Sequence, residues 1–149
     1  MAGKYLVVAT EDELALPLAS CLDGFQTIVT GVGGTNIIRA LKDLPRDAQI
    51  VNIGWAGSTS YPVGSVLRIG STRLWHPTVD YVEETFVLGN DETLCLTAGD
   101  FIEGANLPDH SVVDMELAYI AAFGFSRLSS IKYISDNLNL KEYEQCTKK

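Results

Sequence analysis

Apolar and polar positions along the chain fall into short blocks that change period. The run KYLVVAT (4–10) is apolar and rich in β-branched residues, and EDELALPLASCL (11–22) follows with Leu14, Leu18 and Leu22 at every fourth position. Continuous apolar runs of this length suit a strand covered on both faces, and the four-residue spacing suits a helix. A second run, FQTIVTGVGG (25–34), ends in glycines before TNIIRAL, and a third, AQIVNIGWAGS (48–58), again turns at small residues. The pattern predicts β-α-β-α-β, the mark of a parallel sheet in an α/β fold, where ligands bind beyond the carboxyl ends of the strands.

The middle, from Val66 to Phe101, is broken by HP and GND and predicts a longer strand, a loop or hairpin, and another strand. SVVDMELAYIAAFGF (111–125) predicts a helix, for which Ser111 is the candidate N-cap. SIKYIS (130–135) predicts a strand, DNLN a turn, and LKEYEQCTKK (140–149) a last helical piece. No linker interrupts these elements, and 149 residues is the size of one domain, taken as 1–149.

Charge and cysteines narrow the partners. A net charge of −8 repels phosphate backbones and anionic lipid, so nucleic acid and membrane surfaces are disfavoured and a small molecule fits better. Cys21, Cys95 and Cys146 are odd in number and lack CxxC spacing, which points to reduced thiols rather than disulfides or zinc. YLVVA is too short for a signal-peptide core, and no segment is long enough to span a bilayer, so the expected compartment is the cytoplasm.

Several residues invite two readings. Thr10 and Glu13 have capping-box spacing, but Glu13 also follows the first strand, where catalytic groups sit in α/β folds. The glycines of TGVGGTN (30–36), Gly33 among them, form either a tight turn or a ligand-approaching backbone, and they match neither the dinucleotide fingerprint nor the P-loop. Trp55 serves equally as core or as a stacking wall. Asp136, after SIKYIS, is a turn residue or an acid at a strand end. On a helix Asp114 and Glu116 would point about 200° apart, so they pair only on extended backbone. His76 and His110 have no partner at metal-ligand or triad spacing.

Taken together, VVATEDE, TGVGGTN, VNIGWAGS, TAGDFIE, VVDMELAYIA and YISDN resemble, in order and over nearly the whole chain, the nucleoside phosphorylase and nucleosidase superfamily. The nearest branch is that of the methylthioadenosine/S-adenosylhomocysteine nucleosidases. The resemblance implies a three-layer α/β/α fold with a mostly parallel, mixed central sheet, reduced relative to the family. It implies that Asp136 protonates purine N7, Glu13 orients or deprotonates the attacking water, Glu116 clamps the ribose hydroxyls and Met115 packs on the sugar. Phe101 would stack on the base and the backbone near Ile102 would bond its edge. Gly33, Trp55 and Ser135 fall among the substrate-binding positions by the same carry-over. The implied ligand is a purine nucleoside or free base, with no cofactor and no metal, and the implied assembly is a homodimer or higher homo-oligomer. Alternatives are a phosphorylase on the same scaffold, or a non-catalytic nucleoside-binding or assembly domain. An acid in ATEDEL, with no arginine there to hold phosphate, favours water as nucleophile. Departures from the family pattern are the short middle and C-terminal segments, Trp55 at a position usually small, and Asp114 in place of a glutamate.

Overall fold

The computed structural model describes residues 3–78 and 84–147, so residues 79–83 of the predicted middle loop and the last two of the predicted final helix lie outside it. In chain order the strands are β1 (Lys4–Val8), β2 (Gln26–Val29), β3 (Gln49–Gly57), β4 (Val66–Arg68), β5 (Ser71–Leu74), β6 (Phe86–Val87), β7 (Leu94–Thr97), β8 (Ser111–Asp114) and β9 (Arg127–Asp136). The α-helices are α1 (Gly34–Leu41), α2 (Leu117–Ala121) and α3 (Leu140–Thr147).

All nine strands described join one mixed sheet. β1 lies parallel between β2 and β3, and β3 runs parallel to β9 from Gln49 opposite Arg127 to Gly57 opposite Asp136. At its end β3 also meets β8 antiparallel, Gly57 opposite Val113, and this hands the sheet on to the parallel set β8, β7 and β5. β4 and β6 add antiparallel partners to β9 and β5. The α/β reading with a mostly parallel, mixed sheet therefore holds.

Side-chain alternation along the strands divides the core. Val7 and Ile50 pack against Ile37 and Leu41 of α1 and Ile120 of α2. Leu6, Val8, Val51 and Ile53 point the other way, onto Leu16 and Ala19. That second covering layer is not the predicted helix. Pro17 has no N–H to continue one, and the segment forms two 3-10 turns, Glu11–Ala15 and Ala19–Cys21, which still lay Leu14, Leu18 and Leu22 on the sheet.

The stretch 111–125 is also corrected. Ser111 is not an N-cap but the first residue of β8, all four of whose residues are buried, and the helix is only the five residues of α2. A strand enclosed on both sides is as uniformly apolar as a buried helix, so periodicity could not separate the two. The extended backbone changes the geometry of the acids: Asp114 closes the strand and Glu116 sits in the link to α2.

Candidate active site

The carboxyl ends of β1, β3, β8 and β9 converge on a cavity of about 210 Å³. Glu13, Trp55, Phe101, Ile102, Met115, Glu116, Ser135 and Asp136 all line it. Gly33 stands behind this wall, its N–H donating to Glu116 Oε2 at 3.0 Å. It adopts φ +91, a backbone that favours glycine, and at Gly34 a β-carbon would lie 2.6 Å from the Tyr119 ring. The glycine turn is thus both a tight entry to α1 and the donor that anchors Glu116.

Glu13 is 4% exposed, and its carboxylate fills a cradle of backbone donors. Oε1 accepts from the N–H groups of Ala9 (2.7 Å) and Thr10 (3.1 Å), and Oε2 accepts from that of Trp55 (2.8 Å). The Thr10 bond belongs to the capping box, so the two readings of Glu13 describe one arrangement. A β-carbon on Gly54 would come within 2.7 Å of Oε2, so the bare glycine makes room for the acid. Burial pushes the Glu13 carboxyl above its ordinary range, against the pull of Lys132 and the three N–H groups.

Asp136 is equally enclosed. Its Oδ1 accepts from the Ser135 hydroxyl at 2.7 Å and its Oδ2 from the Leu138 N–H at 3.0 Å. The β3–β9 register slips here: Ala56 pairs with Ile134 but Gly57 with Asp136, leaving Ser135 without a partner. Such a bulge re-aims the side chains beside it. Gly57 again supplies the space, since a β-carbon there would lie 2.9 Å from Asp136 Oδ2. Burial raises the Asp136 carboxyl above the usual range, more than its hydrogen bonds lower it.

Asp114 and Glu116 serve different environments. Asp114 Oδ1 accepts from the Thr97 hydroxyl at 2.6 Å, and Oδ2 accepts from the Leu117 N–H at 2.8 Å and pairs with Lys132 Nζ at 3.0 Å. Burial opposes ionisation of Asp114, but Lys132 and these donors outweigh it and hold the carboxyl below its ordinary value. Glu116, by contrast, is pushed up to about 7, first by burial and then by the charge of Asp114.

The remaining walls are aromatic. The Trp55 indole N–H donates to Asp12 Oδ2 at 3.0 Å and the ring meets Tyr133 edge-on at 6.3 Å, so the indole is pinned as a wall. Phe101 faces Tyr143 of α3 with ring centroids 5.3 Å apart. Tyr143 and the buried Lys132 escaped the sequence reading. The signal for Lys132 was a lone cation inside the apolar SIKYIS. Tyr143 offered none, because its partner lies 42 positions earlier in sequence.

His110 stays outside the cavity, 3.5 Å from Glu92 Oε1 and 3.4 Å from the Tyr61 hydroxyl, and among the described residues His76 bonds only Thr78. Among the described residues no cluster of His, Cys, Asp and Glu could hold a metal ion, and no helix is long and apolar enough to cross a membrane.

No protein-family model and no curated protein matches the sequence. Solved structures do match in three dimensions. A variant of the nucleosidase MTAN from Chlamydia trachomatis bound to MTA superposes with a TM-score of 0.76 at 18% identity, over 97% of this chain and 89% of that one. Futalosine hydrolase of Helicobacter pylori gives 0.70 at 13% identity, over 98% and 91%. S-adenosylhomocysteine nucleosidase from Streptococcus pyogenes, in complex with 5-methylthiotubericidin, gives 0.68 at 20%, over 98% and 90%. Strand order, the cavity at the strand ends and these superpositions lead to one conclusion: the chain has the nucleoside phosphorylase/nucleosidase fold.

Proposed function

We propose that the protein hydrolyses the N-glycosidic bond of a purine nucleoside, as the methylthioadenosine/S-adenosylhomocysteine nucleosidases do. The observation that carries this reading is that Glu13, Glu116 and Asp136, from three separate strand ends, border one cavity with no arginine in its lining among the described residues.

The chemistry follows from the surroundings of each acid. Asp136, held protonated more readily by burial, gives its proton to N7 as the bond from C1′ to the purine breaks and the bonding pair leaves with the base. Water bonds to C1′ from the opposite face and yields a proton to Glu13. Glu116 accepts the ribose hydroxyls and, when ionised, stabilises the positive charge growing at C1′. Met115 packs on the sugar, Phe101 on the base, and the backbone at Ile102 meets the base edge.

Water is favoured over phosphate by the cradle itself. The three N–H donors that might have held an oxyanion already hold the Glu13 carboxylate. A second anion about 4 Å away would meet a repulsion on the order of 4 kcal/mol at an effective dielectric of 20. One observation favours a nucleoside-binding domain without turnover: the pinned Trp55 indole narrows the cavity beside Glu13.

The deciding experiment mixes purified protein with adenosine and inosine nucleosides, including methylthioadenosine, with and without phosphate, and follows free base. Release without phosphate is expected. Strict dependence on phosphate would make the protein a phosphorylase, and binding without release a receptor. The reading includes a homodimer or higher homo-oligomer in the cytoplasm, and sedimentation equilibrium checks the assembly.

A further inference from the structure

Lys132 is the buried cation of the site, and nothing in the proposed chemistry uses it. Its partner Asp114 is likewise unused, and both side chains have at most 1% exposure. Buried ion pairs are often no more stabilising than apolar residues of the same volume, so stability alone does not account for this one. Its connections do. Asp114 holds the Thr97 hydroxyl of β7, the Leu117 N–H at the start of α2 and the Lys132 ammonium of β9, and the Ala118 N–H donates back to Thr97 Oγ1 at 2.9 Å. These bonds close around Met115 and Glu116, the two-residue link between β8 and α2.

We infer that the Lys132–Asp114 pair is a positioning element for Glu116, fixing the link that presents it. The inference rests on reading Glu116 as the sugar-facing carboxylate. From β8 the Asp114 charge opposes ionisation of Glu116, and from β9 Lys132 offsets part of that. Glu13 adds a weaker like charge from the turn after β1, while α1 offers the Gly33 N–H and no acid in its first turn. Asp100, Asp136, Tyr143 and Asp114 itself border the same cavity, and the Cys95 thiol of β7, beside Asp114, is kept protonated by burial.

The test is a carboxyl ¹³C NMR titration of Glu116 in ligand-free protein, its resonance assigned with Glu116→Gln. Asp114→Asn combined with Lys132→Met removes both charges and leaves an amide acceptor for Leu117. Because Asp114 is the stronger influence of the two, the Glu116 midpoint should fall by at least about half a unit in this variant. Asp114→Glu combined with Lys132→Arg keeps both charges and should hold the midpoint within about 0.3 unit of wild type. An unmoved midpoint in the neutral variant overturns the proposal, and so does a drop of half a unit in the charge-preserving one, which still decides if the neutral variant does not fold. Neither measurement requires turnover, so a protein that releases no base can still pass. If base release is observed, the pH profile of KM should move in the same direction as the NMR midpoint.

Discussion

The two walls of the cavity are built on different terms. One consists of strand ends, where Glu13, Asp114, Glu116 and Asp136 are each 8% exposed or less and each oxygen-bearing group is bonded to backbone or a neighbouring side chain. The other consists of the segment after β7 and helix α3, which has no buried residue and joins the site through Phe101 and Tyr143. Buried carboxylates cost several kcal/mol to desolvate unless they are hydrogen-bonded, so the buried acids lie on the strand ends, where such donors meet them, while Asp100 in the second wall stays exposed. Aromatic faces carry little such cost and tolerate a looser wall. On the proposed reading, the acids of the chemistry lie in the first wall and the ring that packs on the base in the second.

The largest effect expected from this division is on the acid. Asp136→Asn keeps the shape and one acceptor oxygen at the strand end but removes the proton, so base release should fall about 10³-fold or more while nucleoside binding persists. Single-turnover assays beside equilibrium binding check this, and wild-type release would remove Asp136 from the mechanism. Next comes the ion pair beneath the first wall. Lys132→Met leaves Asp114 buried without its cation and should cost about 3–5 kcal/mol in urea unfolding, far more than any change in the second wall.

A smaller, pH-dependent effect belongs to Glu116. Its folded value of about 7 lies above the ordinary 4.5, so the native state binds more protons than the unfolded chain between these values. The stability this group contributes is fully present below about pH 4.5 and is lost as pH rises through 7, to an extent on the order of 3 kcal/mol. Glu116→Gln should therefore flatten the fall in Tm over that window. It should not abolish the fall, because Glu13 is shifted in the same direction. An unchanged slope would mean that Glu116 ionises as it does in the unfolded chain. The mildest change is predicted for Tyr143→Ala, which loses an aromatic pair worth about 1 kcal/mol and should raise KM several-fold with kcat almost unaltered. A loss concentrated in kcat would dissolve the distinction between the walls.

The same contrast governs what could be read from the sequence. The parallel β1, β2, β3 and β9 were legible because uninterrupted apolar runs between glycine turns have few other uses, and Glu13 and Asp136 were legible as strand-end acids, whereas Glu116 entered only through the family resemblance. Where local pattern was ambiguous, three regions were misread: Pro17 turned a leucine-spaced segment into 3-10 turns, the enclosed β8 imitated a helix, and the longer strand expected after Val66 is divided into β4 and β5, with β6 an added strand before β7. Lys132 and Tyr143 were missed for a physical reason. Their roles depend on Asp114 and Phe101, partners brought close only by the packing of distant segments.

Gly54 and Gly57 carry a consequence for how such a site is recognised in other chains. The volume that a β-carbon would take at each is the volume in which an acid on another segment lies, Glu13 at one and Asp136 at the other. Each acid and its glycine therefore form a single two-letter word, spelled across neighbouring segments. A saturation scan should find the silent letter as intolerant as the spoken one, and a search that weights the acids alone would discard half of the inscription.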